Sequence, residues 1–320
     1  MFCERHRTLA KDVLTLFGIL IFPLLQVGHA ISDEASSAFR RGEMFKGNER
    51  NDSALVYFNR FLELEPKEEF AHVERGIVYD RLGKPDSAVA DFNKALDIAP
   101  KYGWAYFNRG LAYAHRGDYD RAILDYNKAF EFNRLMKDYF KSNQFFFEAM
   151  KGMDFNEAID CSLTAYTIGI HLERGDAFQH KGDNEGALKN FTSALKLDPK
   201  CTEVYLHRGP AYEAMGDYER ALADLNKAIE LNAYFGKTYA LRGSVYLNKG
   251  DYDQAITDCN KAIELRPKDA NAYYTKALAC EKKGLGKEAV EALKCFIQHA
   301  SPKDTVLIQR AKLKISELEK

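Results

Sequence analysis

The sequence predicts an all-α fold, an α-solenoid of stacked helix-turn-helix units. Three observations predict it. The 320-residue chain matches itself when shifted by 34 residues, glycines recur where one helix must end and another begin, and no stretch alternates as a strand would. The charge is nearly balanced, with 46 Lys plus Arg against 47 Asp plus Glu. That excludes the basic excess of a phosphate-backbone binder, so no nucleic-acid partner is expected. With 46% hydrophobic and 29% charged residues, the composition excludes a polytopic membrane protein and a disordered chain.

In chain order the first element is residues 1–30. Arg5, Arg7 and Lys11 precede the uncharged stretch Val13 to Val27, and Gly28-His29-Ala30 places small residues at a cleavage position. The segment reads as a signal peptide removed after Ala30, which puts the mature chain in the periplasm or outside the cell. An uncleaved membrane anchor over residues 13–31 is the alternative, weakened because Pro23, Gln26 and His29 interrupt the roughly 20 apolar residues that a spanning helix needs. Export makes the cysteines worth reading. Beyond Cys3, the chain has Cys161, Cys201, Cys259, Cys280 and Cys295, with no Cys-x-x-Cys pair and no fixed histidine spacing. They read as small buried hydrophobes, and a bridge among Cys259, Cys280 and Cys295 stays open.

The repeats follow. Arg41-Gly42, Arg75-Gly76, Arg109-Gly110, Arg174-Gly175, Arg208-Gly209 and Arg242-Gly243 mark the first helix of successive units. Seven residues after most of these glycines come Gly83, Gly117, Gly182, Gly216 and Gly250, which end that helix, and Asp118, Asp217 and Asp251 stand ready to cap the next. Ala54, Ala88, Ala122, Ala187, Ala221, Ala255 and Ala289 recur on the second helix and let two backbones approach. Tyr79, Tyr113, Phe178, Tyr212 and Tyr246 on first helices, with Phe58, Phe92, Tyr126, Phe191 and Leu225 on second helices, fill the core. Pro66, Pro100, Pro199 and Pro267 close second helices, because the residue before a proline disfavours helical geometry. Arg75 and Asp91, Arg109 and Asp125, Arg208 and Asp224, and Arg242 and Asp258 lie sixteen apart. A site is singular, so this recurrence argues for structural ion pairs.

The ordered pattern of Gly, Tyr, Ala, Phe, Ala and Pro resembles the tetratricopeptide repeat family over most of the chain. The resemblance implies a right-handed α-solenoid with repeats at 35–68, 69–102, 103–136, 168–201, 202–235, 236–269 and 270–303, and a degenerate repeat at 137–167. A C-terminal capping helix over 304–320 carries Val306, Ile308, Ala311, Ile315 and Leu318 among charges. The unit at 137–167 lacks the Arg-Gly pair and the closing proline, keeps only Ala158 and Ala165, and crowds Phe145, Phe146 and Phe147. It reads as a copy repacked by larger side chains, or as a kink between a three-repeat and a four-repeat block. Pro210 falls inside a first helix and predicts a bend.

No phosphate loop, nucleophile elbow or zinc-protease motif occurs, so no catalytic residue, metal site or cofactor is expected and the chain reads as non-enzymatic. His72, His115, His171, His180 and His207 are scattered over the units and read as packed or solvated. Asn51-Asp52-Ser53 and Asn190-Phe191-Thr192 fit a glycosylation pattern that is common by chance. The resemblance places function on the concave face lined by first helices, where family members hold protein or peptide segments. Its groove positions correspond to Phe70, Val73, Glu74 and Ile77 in the second repeat, Trp104, Phe107, Asn108, Leu111 and His115 in the third, and Leu206, His207 and Glu213 in the sixth. Trp104 beside Phe107 and Leu111 is the expected anchor, with packing against the neighbouring repeat as the alternative. The Lys, Asn and Arg clamp by which family members grip acidic chaperone tails is found in no run of three repeats. The expected function is a protein-binding scaffold for a peptide or helical segment, in assembly of an exported or envelope complex. The alternative is an enzyme, or a module regulating one, with a site near the irregular fourth unit at Phe146 or His171. Hydrophobic end faces also allow a homo-oligomer.

Overall fold

The computed structural model describes residues 31–142 and 155–319, with side chains described outside 134–162. Among the described residues there are helices and no strands. They fall into two compact units, within Met1–Asp198 and within Pro199–Lys320. The first holds α1 (Asp33–Gly47), α2 (Asn51–Leu64), α3 (Glu69–Arg81), α4 (Pro85–Ile98), α5 (Gly103–His115), α6 (Tyr119–Ser142), α7 (Phe155–His180) and α8 (Asn184–Leu197). The second holds α9 (Thr202–Ala214), α10 (Tyr218–Leu231), α11 (Gly236–Lys249), α12 (Tyr252–Leu265), α13 (Ala270–Lys282), α14 (Gly286–His299) and α15 (Thr305–Leu318). Within each unit, odd and even helices pair into hairpins and each hairpin packs on the next.

Turn chemistry sets the hairpins. Gly83, Gly117, Gly182, Gly216, Gly250 and Gly284 all have φ between 68° and 91°, the left-handed conformation that ends a helix and is open to a residue without Cβ. In the first hairpin the corresponding residue is Glu49, which takes the same geometry at φ 58° against the steric preference of a side chain. The aspartates then start the following helix. Asp183, Asp217 and Asp251 accept hydrogen bonds from the amides of Gly186 (2.8 Å), Arg220 (3.0 Å) and Gln254 (3.3 Å), satisfying donors that the first turn leaves free.

Helix ends follow the prolines where these occur. Where proline is missing the result depends on the substitute. At the end of α10 the side chain of Asn232 accepts from the amide of Tyr234 at 3.1 Å, a local turn that does the work of a proline. After Asn133 there is neither signal, and α6 runs on to Ser142. Likewise α7 begins at Phe155 and crosses 167/168 unbroken, because Thr167-Ile168-Gly169-Ile170 contains no proline. The ends of the segment read as a fourth repeat thus lie on two elongated helices, and Phe145, Phe146 and Phe147 lie outside the described residues. Pro210 stands inside α9, which continues past it to Ala214.

The two helices of a hairpin touch at one repeated place. The rings of Phe58, Phe92 and Tyr126 lie so close over Gly42, Gly76 and Gly110 that an added Cβ would come within 2.6 to 2.7 Å of ring carbons. Leu225 meets Gly209 and Cys259 meets Gly243 with more room, at 3.1 and 3.0 Å. In the last hairpin Ala277 and Leu293 hold the equivalent positions, both buried. The seven second-helix alanines that the repeat predicts are each 0% exposed. Cys201, Cys259 and Cys280 are buried free thiols and Cys295 a half-buried one; burial pushes Cys259 up to about 12. At the C-terminus α15 buries Ala311 and packs Leu307, Ile308, Ile315 and Leu318 on α13 and α14, while Val306 and Leu313 face outward. It is the expected cap.

Replacing Glu49 by glycine removes the left-handed penalty and is expected to raise stability by about 1 kcal/mol, read as an upward shift in the thermal midpoint. Gly76→Ala drives a methyl into the Phe92 ring and is expected to cost about 1–3 kcal/mol. Phe92→Leu in that background copies the Ala277 and Leu293 pair. A double-mutant cycle should therefore show the two changes costing less together than their separate sum.

Candidate functional site

A frame of repeated polar braces runs beside the core. Arg75 donates from Nε and Nη2 to the two carboxylate oxygens of Asp91, both at 2.7 Å. Arg109 with Asp125, Arg208 with Asp224 and Arg242 with Asp258 repeat the fork at 2.7 to 2.8 Å. Burial pushes the Asp91 carboxyl up, but the hydrogen bonds from Arg75 and His72 and the charges of both together outweigh it and hold the group below the usual carboxylate range. The third arm, Nη1, reaches back one helix: Arg75 to Asn59 at 2.9 Å, Arg109 to Asn93 at 2.6 Å and Arg242 to Asn226 at 2.6 Å. One guanidinium therefore ties three successive helices. The asparagines were missed in the sequence, although Asn93-Lys94, Asn127-Lys128 and Asn226-Lys227 return on the same period.

One rung differs. Arg174 on α7 donates to Asn127 at 2.7 Å in the usual way, but opposite it Asn190 replaces the aspartate and accepts only at Nε, 2.7 Å away. Nη2 turns instead to Nδ1 of His171 at 3.3 Å. Burial lowers the Arg174 guanidinium, and burial followed by the Arg174 charge lowers His171. His171, the residue offered for an enzymatic alternative, is thus a buried member of the frame. Asn190 is equally committed, its Nδ2 donating to the Gly186 carbonyl at 2.8 Å, so the folded chain does not present its glycosylation pattern.

The groove positions divide. In the first unit Phe70, Val73, Phe107 and Asn108 are buried, and Asn108 donates to the carbonyl of Trp104 at 2.8 Å. Ile77, Trp104 and Leu111 are partly buried against the core of α3 to α7. Trp104 stacks on Phe107 with ring centres 5.6 Å apart and meets Tyr166 of α7 edge-on at 5.6 Å; its packing against the following helix and its partial exposure coexist. Glu74 pairs with Lys46 of α1, and His115 Nδ1 lies 2.8 Å from Asp80 Oδ2 of α3. In the second unit Leu206 is buried, His207 is half-buried, and Glu213 accepts from Ser244 at 2.9 Å and Asn248 at 2.7 Å.

Glu74, His115 and Glu213 therefore cross-brace neighbouring first helices. Among the described residues no group of three or more His, Cys, Asp or Glu side chains could hold a metal ion, and no helix is long and apolar enough to cross a membrane. The signal segment and Phe146 lie outside the described residues.

Comparison with known proteins agrees with the repeat. Models of the tetratricopeptide repeat match residues 39–103, 73–133, 202–235 and 236–269, and a TPR repeat model matches 175–216. No curated protein is significantly similar to the chain. A tetratricopeptide repeat protein from Parabacteroides merdae is 16% identical over 90% of this chain and 100% of its own, with a TM-score of 0.65. PilW, a type IV pilus biogenesis factor, is 14% identical over 75% of this chain and 97% of its own at 0.61. PilF from Pseudomonas aeruginosa is 14% identical over 75% and 95% at 0.55.

The hydrogen bond that His115 donates to Asp80 lifts the ring above the ordinary imidazole value of 6.5, and this outweighs burial. A raised pKa means that the folded state favours the protonated ring. The stabilisation is fully present below about pH 6.5 and is lost as pH rises through the folded value. In an NMR titration His115 should show a midpoint above 6.5, and Asp80→Asn should bring it down.

Proposed function

Because the chain belongs to the tetratricopeptide repeat family, we propose that it is a non-enzymatic scaffold that holds a peptide or helical segment of a partner protein along the first-helix face. One observation carries this reading. Positions that build the frame repeat from unit to unit, whereas the groove positions do not: Phe70 becomes Trp104, Glu74 becomes Asn108, and Ile77 becomes Leu111. Residues that only stack hairpins would be held to the common pattern. Side chains that differ at equivalent places give each repeat its own contact, which is what reading an extended segment requires.

Partly exposed Ile77, Trp104 and Leu111 supply the apolar contact. Phe107, at 9% exposure, supports Trp104 from below. The export-like N-terminal segment supports a role in assembly of an exported or envelope complex, and a pilus biogenesis factor is among the proteins that share the fold.

A photo-crosslinking amino acid at Leu111, in cells at native expression, is expected to trap one discrete partner. Trp104→Ala with Leu111→Ala should reduce that capture about tenfold or more while the helical circular dichroism and melting temperature stay near wild type. Unchanged capture would remove the groove from the reading. The intact mass of the native protein tests the address: it should correspond to a chain beginning at Ile31.

A further inference from the structure

We propose that the cleft where α2, α3 and α4 meet is a seat for an aromatic side chain on a bound protein segment. The cleft has a volume of about 600 Å³, and Leu62, His72, Arg75, Lys94, Asp97 and Ile98 are among the residues that line it. None of the groove positions does, so the seat stands apart from the first-helix face. Its size suits a ring together with its flanking backbone.

Elsewhere in the array a ring lies over the arginine of the brace. The guanidinium carbons of Arg41, Arg109, Arg174, Arg208 and Arg242 are 5.2 to 5.7 Å from the ring centres of Tyr57, Tyr106, Phe130, Tyr205 and Tyr239 respectively. Among the described residues no ring takes this place over Arg75. Two substitutions account for it. The position of Tyr106, Tyr205 and Tyr239 is His72 in this hairpin, and Leu62 stands on α2 where Phe130 stands on α6.

His72 does not supply the missing ring, because it is drawn inward. It is 6% exposed, with Nε2 at 3.1 Å from the Pro66 carbonyl oxygen and Nδ1 at 3.5 Å from Asp91 Oδ1. A tyrosine reaches the corresponding proline through its hydroxyl and stays half-buried, as Tyr106 does with Pro100 at 3.3 Å and Tyr205 with Pro199 at 3.0 Å. The outer wall is smaller as well. Tyr106 packs on Phe132 with ring centres 5.5 Å apart, and Tyr273 on His299 at 5.8 Å; the counterpart of Phe132 and His299 here is Ile98, 40% exposed.

The rim departs from the repeat at the same place. Lys128 with Glu131, Lys227 with Glu230 and Lys261 with Glu264 form ion pairs of 2.7 to 3.1 Å along second helices. On α4 the two residues are Lys94 and Asp97, and the carboxylate on a stem one methylene shorter makes no such pair. Both are exposed at the cleft. Glu63, also at the rim, is held by Arg60 at 3.1 Å.

These features select the guest. A guanidinium attracts the face of an aromatic ring, and the array itself uses that contact at its other braces. An aliphatic side chain fills the volume without the attraction. Lys94 and Asp97 then favour a segment that carries an acidic and a basic residue beside its ring.

The test uses the full chain and labelled peptides with phenylalanine, cyclohexylalanine or glycine between a glutamate and a lysine, read by fluorescence anisotropy. Cyclohexylalanine keeps the bulk and loses the π face, so the phenylalanine peptide should bind about fivefold tighter than it, and about tenfold or more tighter than the glycine peptide. His72→Tyr supplies the array's own ring from within and should weaken the phenylalanine peptide about tenfold or more, while the melting temperature holds or rises. Asp97→Glu gives Lys94 its usual partner and should weaken binding about threefold. Both substitutions copy residues that other hairpins carry at the same positions, so the fold is kept. Trp104→Ala with Leu111→Ala should leave binding of this peptide unchanged.

Equal binding of the phenylalanine and cyclohexylalanine peptides, undiminished binding to His72→Tyr, or failure of all three peptides to bind overturns the seat. So does loss of binding in the Trp104 and Leu111 variant, which would put the segment in the groove instead. Free phenylalanine binding as tightly as its peptide also overturns it, since that indicates a small-molecule site only.

Discussion

The packing of each hairpin depends on how close two backbones come at one small residue, a glycine or, in the last hairpin, Ala277. A ring or branched side chain on the second helix lies flat on the bare backbone of the first, and this contact sets the spacing of the pair. Everything else follows from that distance. The alanines of the second helix are small because the helices are already close, and the rings fill the gaps that alanines leave. The second-helix partner at this contact varies: a ring, Leu225 or Cys259 lies over glycine, and Leu293 faces Ala277 in the last hairpin.

Apolar packing of this kind is attractive but slippery, since small residues offer few features that fix one helix along another. The arginine forks supply register. Arg75, Arg109 and Arg242 each join a carboxylate on their own hairpin and an amide on the previous one, and a planar guanidinium meets both only in one alignment. The frame is thus built from two layers of different chemistry, one for distance and one for register. The first-helix face takes part in neither fully, and it is there that unlike residues occupy like positions.

Much of this was legible in the sequence. The interval, the turn glycines, the capping aspartates and the Arg to Asp spacing each have a local cause, and each appears in place. Exposure was less legible. A first helix contacts its own second helix and the hairpins before and after it, so a position along the repeat fixes a direction without saying whether a neighbour covers it. Phe70, Val73 and Phe107 fell to the core for that reason. Trp104, one turn away, remained at the margin. Helix length in the irregular region was hidden because a missing stop signal leaves no mark of its own. Asn232 shows that a proline can be lost without the helix growing.

The substitution of Asn190 for an aspartate has a mechanical meaning. Where a guanidinium forks onto its own hairpin and reaches the one before, a hairpin leaving the stack keeps its charged fork and surrenders only the amide bond, so the fork stiffens the hairpin and the amide bond fixes its place on its neighbour. At α7 and α8 the clasp is made of neutral amides and an imidazole, with no opposite charge to pull it shut. The hairpin of α7 and α8 is therefore held less tightly within itself than those with a charged fork, while its amide tie to α6 matches theirs.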